Sequence, residues 1–195
     1  MINYLTLLLI NMVAGLCLLG VAVLVGLGSE KAQKMAPGLA LSGLVALFFG
    51  AAICLTWPLP GSFNMVFGEL SVLFGAVLAG VGICLFRRWD LQSVAIYGFF
   101  AGIVAVVLGI GIIHLELTQK PLFSGVGFIL TGLGGVLFLP LSFKPENLIL
   151  RSVVSALLLL SMLTWALTGY MAYWSHLPRF SDWTPDTMLE RSSAE

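Results

Sequence analysis

Charged residues are scarce in this 195-residue chain. Lysine, arginine, aspartate and glutamate make up 9% of it, whereas an ordinary soluble domain carries about 25%. Hydrophobic residues make up 59%, far more than a soluble surface of this size tolerates. The formal net charge is zero, so the composition offers no basic surface for nucleic acid, and we expect no nucleic-acid partner.

Residues that carry chemistry are also few. The three cysteines, Cys17, Cys54 and Cys84, lie inside apolar runs and form no CxxC pair, which predicts packing rather than a disulfide or a metal site. The phosphate loop with its lysine, GxGxxG after a strand, GxSxG and HExxH are all missing. We therefore predict no catalytic residue, no metal and no cofactor beyond a quinone or lipid, and we do not expect an enzyme acting on its own.

Long hydrophobic runs dominate the chain instead. A helix needs about 20 apolar residues to cross the hydrocarbon of a bilayer, and six runs reach that length: residues 2–28, 37–57, 66–86, 93–117, 121–142 and 148–174. The runs are continuous rather than alternating, which indicates helices and not a barrel. The predicted fold is an all-α bundle of six spans over residues 1–174, followed by a short extramembrane tail over residues 175–195.

Lysine and arginine predict the orientation of the bundle, because loops on the cytoplasmic side carry an excess of them. Six fall in the first, third and fifth loops and three elsewhere: Lys31, Lys34, Arg87, Arg88, Lys144 and Arg151, against Lys120, Arg179 and Arg191. We therefore expect a multi-pass plasma-membrane protein with both termini on the extracytoplasmic side. We call the end that carries loops one, three and five the basic face, and the opposite end the outer face.

Glycine, with 22 residues, recurs at seven-residue intervals inside the runs. The sets are Gly43 and Gly50; Gly68, Gly75 and Gly82; Gly102 and Gly109; and Gly125 and Gly132. Seven residues make about two helical turns, so each set forms a stripe on which another helix can pack closely. By contrast, the leucines at 157–160 suggest a face turned to lipid. A faint echo between residues 42–63 and 124–143 suggests an inverted repeat of the kind that transporters use.

A few polar residues lie within or beside the spans, where a charge is a candidate for function. Glu69 is near the start of the third run, whereas His114 and Glu116 are in the last turn of the fourth. On the predicted topology all three lie at the outer face, where Trp57 and Asn64 join them. One hypothesis is a pocket for a quinone or another small molecule, and a second is a metal site. A third is that these groups simply complement helix dipoles near the headgroups.

The hairpin after the second run is the sharpest local motif. It reads Trp57-Pro-Leu-Pro-Gly-Ser-Phe-Asn64, followed by Phe67-Gly-Glu69. Two prolines and a glycine favour a rigid turn, and Asn64 is expected to cap the third helix. Together with Trp89-Asp-Leu91, this motif resembles a family of small prokaryotic membrane proteins catalogued only as a domain of unknown function. The resemblance implies a six- or seven-helix membrane protein and supplies no activity.

These features favour a non-catalytic accessory subunit of a larger respiratory or electron-transfer complex in the membrane. Its expected partners are the lipid bilayer and other membrane subunits, or further copies of itself. Two alternatives stay open. One is a transporter of ions or small molecules, and the other is a quinone- or metal-linked redox protein that uses the outer-face glutamates and histidine.

Overall fold

The structure is a computed structural model that describes residues 4–179 and Ser181. It is all-helical over these residues and contains six helices long and apolar enough to cross a membrane, so the six-span prediction is confirmed. The helices are α1 Tyr4–Val25, the short α2 Glu30–Gln33, α3 Ala36–Thr56, α4 Leu70–Arg87, α5 Gln92–His114, α6 Pro121–Phe143 and α7 Leu148–Arg179. A π-helical turn, Asn64–Glu69, runs directly into α4.

Three helix ends differ from the ends of the predicted spans, and the division into a bundle and an extramembrane tail stays a prediction. The third span starts at Asn64 rather than at residue 66, because the π-helical turn extends it. The fourth ends at His114, since Glu116 adopts a left-handed conformation (φ 50°), so Glu116 lies outside the helix. The sixth continues to Arg179 because Pro178 is its first proline, so the helix includes the first five residues assigned to the tail. The predicted tail helix near Thr184 lies outside the described residues.

The six long helices form a closed ring in chain order. Three pairs pack most intimately: α1 with α7, α3 with α4, and α5 with α6. Looser contacts join α1 to α3, α4 to α5 and α6 to α7, and these complete the ring. The large apolar side chains on its outside are exposed, as lipid contact requires; Phe48, Phe100 and Leu163 are examples on three different helices.

Glycine brings the backbones of two of these pairs together, as predicted. In the α3–α4 pair, a Cβ atom built on Gly82 would lie 2.6 Å from the Ala40 backbone nitrogen. In the α5–α6 pair, one on Gly102 would lie 2.6 Å from the Gly132 carbonyl oxygen. Real Cβ atoms do not approach other atoms this closely, so only glycine allows the observed helix separation.

The α1–α7 pair is joined by polar side chains that reach across to backbone. The Ser155 hydroxyl donates to the Gly20 carbonyl at 2.9 Å. At the basic face the Arg151 guanidinium donates to the carbonyls of Val23 and Leu24, at 3.3 and 2.7 Å. These carbonyls belong to the last turn of α1, where a cation complements the helix dipole. In the neighbouring α1–α3 contact, the Asn11 amide donates to the Ser42 carbonyl at 2.8 Å.

Contacts in the structure contradict two further expectations, the lipid-facing leucines and the inverted repeat. The leucines at 157–160 do not form a lipid-facing face, because four consecutive residues circle the helix: Leu158 is buried in the core, whereas Leu160 is exposed. The echoed segments also make unlike contacts. Gly43 packs on α4, the following span, but Gly125 packs on α5, the preceding one. A three-plus-three inverted repeat would place both against the equivalent neighbour.

The glycine contacts yield a test within one helix. We expect Gly102→Ala to destabilise the protein by about 1–3 kcal/mol, since the new methyl group collides with α6 backbone. Gly111→Ala is the matched control in α5, where nothing lies within 4 Å of the added carbon. It should be neutral or stabilising by about 0.5–1 kcal/mol. Thermal unfolding in a mild detergent measures both, and equal stabilities would contradict the packing described.

The orientation yields a second test. Single cysteines at Glu146, in the fifth loop, and at Gln119, in the fourth, lie at opposite ends of the bundle and are both exposed. We expect an impermeant thiol reagent added outside intact cells to modify position 119 and spare position 146 until the cells are lysed. The reverse pattern would place the basic face outside.

Candidate functional site

The outer-face hairpin is built from left-handed and π-helical backbone. Trp57 ends α3 in a left-handed conformation (φ 47°, ψ 50°), and its N–H donates to the Ile53 carbonyl at 2.9 Å. Its indole is 52% exposed. A non-glycine residue in this region is uncommon, and π-helical turns occur frequently at functional sites. The hairpin therefore combines two unusual backbone features within about a dozen residues.

Asn64 holds this hairpin from inside. It is fully buried, at 0% exposure, and its side chain turns back toward the loop rather than capping the helix. The Asn64 Oδ1 atom accepts from the Leu59 N–H at 2.9 Å, and Nδ2 donates to the carbonyls of Leu59 and Gly61. The expectation that Asn64 caps the third helix is wrong. Because α4 is preceded by a π-helical turn, its first N–H groups are already bonded, and the side chain is free to serve the loop.

The other predicted site residues are exposed at the same end of the bundle. Glu69 closes the π-helical turn, His114 is the last residue of α5 and Glu116 follows it. Within the described residues, no hydrogen bond or ion pair joins any two of Glu69, His114, Glu116, Trp57 and Asn64. Their convergence on one ligand, a quinone or a metal, stays a prediction.

A cluster inside the ring, which the sequence did not single out, links α6 to α7. The Trp165 indole is 4% exposed, and its N–H donates to the Thr131 hydroxyl at 3.0 Å. Thr131 donates in turn to the Gly127 carbonyl at 2.8 Å and contacts the Ser161 hydroxyl. A threonine in one apolar run and a serine and a tryptophan in the next give no spacing signal, so only the fold brings them together.

Aromatic rings connect this cluster to the outer hairpin. The Trp165 ring meets Phe128 edge to face, with 4.8 Å between centroids. Phe128 contacts Phe67 at 5.8 Å, and Phe67 stacks on Phe63 at 5.9 Å. A cavity of about 40 Å³ lies beside this row, which is room for a few water molecules at most. The π-helical turn thus places its Phe67 ring in the core, where aromatic contacts fix it to α6.

Six apolar spans, a closed ring and an apolar core whose few buried polar side chains are uncharged define the class of protein: a polytopic α-helical integral membrane protein. More particularly, the chain belongs to the family described as "Protein of unknown function (DUF981)", whose profile matches residues 1–179. The predicted membership of a family of unknown function is therefore confirmed. No curated protein and no solved structure matches the chain.

The role of Asn64 is testable by substitution. We expect Asn64→Ala to destabilise the protein by about 1–3 kcal/mol, because it leaves partly buried backbone groups of the hairpin without partners. Asn64→Asp should destabilise the protein at least as much as Asn64→Ala, because it buries a carboxylate against the carbonyl oxygens of Leu59 and Gly61. Ser62→Ala, at an exposed position of the same hairpin, should stay within about 0.5 kcal/mol of wild type. Unfolding midpoints that do not follow this order would refute the assignment.

Proposed function

We propose that this protein is a non-catalytic subunit of a larger membrane complex, in the class of respiratory or electron-transfer assemblies. The observation that carries the proposal is that the polar side chains buried inside the bundle are uncharged and serve packing. Seven polar side chains are buried among the described residues, and none is charged: Thr6, Ser42, Asn64, Ser71, Thr131, Ser155 and Ser161. The bonds of Asn64, Thr131 and Ser155 hold a loop or a neighbouring helix in place. The interior thus serves assembly of the ring.

The rigidity of the bundle supports a scaffolding role within a complex. Backbones locked together by glycine in α3–α4 and α5–α6 leave little freedom for those pairs to slide. The exposed outer surface carries large side chains in rows; on α3 these are Leu41, Leu44, Phe48 and Leu55. Rows of this kind contact either lipid or the helices of another subunit.

The alternatives have less support. An inverted-repeat transporter would place its repeated segments in equivalent contacts, which Gly43 and Gly125 do not make. A redox site at the outer face needs Glu69, His114 and Glu116 to meet on one ligand, and within the described residues these exposed side chains are joined by no hydrogen bond or ion pair. Both therefore remain hypotheses behind the subunit proposal.

Photocrosslinking in the native membrane tests the subunit proposal. A photoreactive phenylalanine analogue is placed at Phe48, Phe100 or Leu163, one on each of three outward faces. We expect at least one position to give an adduct with a second polypeptide that also co-purifies in fixed stoichiometry in mild detergent. The matched control is Phe74, which is buried and should react only within the chain.

The masses of the adducts decide the outcome. Adducts with lipid alone, together with a native particle that holds a single 20.9 kDa protomer, would contradict the proposal. Adducts at twice that mass without any other polypeptide would replace it with a homodimer.

A further inference from the structure

A polar pocket opens at the basic face, at the end of the ring opposite the hairpin. Its volume is about 350 Å³, within the range of small-molecule sites. Three segments far apart in sequence form it: the first loop with α2, the end of α4 with the third loop, and the end of α6 with Pro145 beyond it. No motif in any one of these segments indicates the pocket, so the pocket depends on the way the ring closes.

The floor of the pocket is apolar and its rim is charged. Leu27, Cys84 and Leu85 are buried and line the floor. The rim carries two carboxylates and one guanidinium, from Glu30, Asp90 and Arg88. A concave site with an apolar floor and a few convergent polar groups is the usual form of a ligand pocket.

Hydrogen bonds hold two of the three charged residues of the rim, Arg88 and Asp90, before any ligand arrives. The Gln33 amide bridges two segments, donating to the Phe86 carbonyl at 3.3 Å and accepting from the Arg88 guanidinium at 3.2 Å. Arg88 itself ends α4 in a left-handed conformation (φ 57°), with its N–H directed at carbonyls of that helix. Asp90 Oδ1 accepts from the Gln92 N–H at 2.7 Å. A rim held in this way loses little freedom on binding.

The charges of the rim do not neutralise one another. Within the described residues, the Glu30 carboxylate takes part in no hydrogen bond or ion pair, and Asp90 uses one carboxylate oxygen for its bond to Gln92. Arg88 donates to the neutral Gln33 amide, and its other N–H groups are not committed to a carboxylate. Guanidinium N–H groups bind phosphate or carboxylate, and carboxylates bind ammonium groups. The pocket therefore presents opposite charges to one occupant.

We propose that this pocket binds a zwitterion, a small group that carries an ammonium beside a phosphate or carboxylate. The anionic end pairs with Arg88, the ammonium with Glu30 and the free oxygen of Asp90, and the carbon skeleton lies over Leu27 and Leu85. The basic face lies at the membrane surface, so this chemistry has two sources: the head group of a phosphoethanolamine lipid, or a free zwitterion in solution.

Titration of the purified full-length protein in a non-ionic detergent tests the proposal. The probes are phosphoethanolamine, ethanolamine alone and inorganic phosphate alone, with the thermal unfolding midpoint as the readout. We expect phosphoethanolamine to raise the midpoint at a concentration about 10-fold lower than either half alone, since each charged end adds a charge-assisted bond. No shift with phosphoethanolamine, or equal shifts with all three probes, would overturn the proposal.

Matched variants assign the site. Glu30→Gln keeps the size of a side chain that makes no bond, so it should fold normally and weaken phosphoethanolamine binding about 10-fold. Arg88→Gln should do the same and should also remove the response to phosphate. Glu146→Gln and Lys31→Gln are the controls, since both residues are exposed near the basic face but do not line the pocket. If the control and pocket variants lose affinity equally, the site is wrong.

Nanodiscs distinguish the two sources. If the natural ligand is a lipid head group, phosphatidylethanolamine nanodiscs should weaken the binding of free phosphoethanolamine relative to phosphatidylglycerol nanodiscs, because the lipid occupies the pocket. If the ligand is a free zwitterion, affinity should be the same in both. Loss of binding in both kinds of nanodisc would show that the detergent created the site.

Discussion

The structure depends on one constraint: inside a bilayer no water competes for hydrogen bonds, and lipid is as apolar as leucine. Burial of hydrophobic surface therefore cannot hold these helices together, and close backbone contact has to do so. Glycine provides it in the α3–α4 and α5–α6 pairs, where the helices approach so closely that no side chain fits at Gly82 or Gly102. The α1–α7 pair relies instead on side chains that donate to backbone carbonyls, from Ser155 and Arg151.

The same constraint explains why the core holds uncharged polar groups and the ends of the bundle hold charged ones. Hydroxyl groups in the core bond to backbone or to one another, as in the cluster of Thr131, Ser161 and Trp165. Charged side chains are kept to the two ends of the bundle, where water and headgroups solvate them. The ends differ in character: the outer face is a tight hairpin tied by Asn64, and the basic face is an open pocket whose rim presents Glu30 and Arg88.

Hydropathy and glycine spacing were sufficient to predict the six spans and the glycine stripes at which helices pack closely, because both signals are local and repeat along a helix. Which helix packs on which stripe was not predicted. Features set by contacts between distant segments were not predictable. Nothing in the sequence near Asn64 shows whether its side chain caps the helix or bonds to the preceding loop, since this depends on the π-helical turn that begins there. The basic-face pocket needs segments around residues 30, 88 and 142 to meet, and the Thr131 cluster needs α6 and α7 to align.

The partnership of the first helix with the last has a consequence for biosynthesis. Arg151 reaches carbonyls 127 and 128 residues earlier in the chain, at the end of α1. A ribosome that makes the protein in order therefore releases α1 into the bilayer long before its main partner exists. During that interval the Gly20 carbonyl and the last turn of α1 lack the hydrogen-bond donors that α7 supplies. Only when α7 has been made can the ring close and these carbonyls receive their donors.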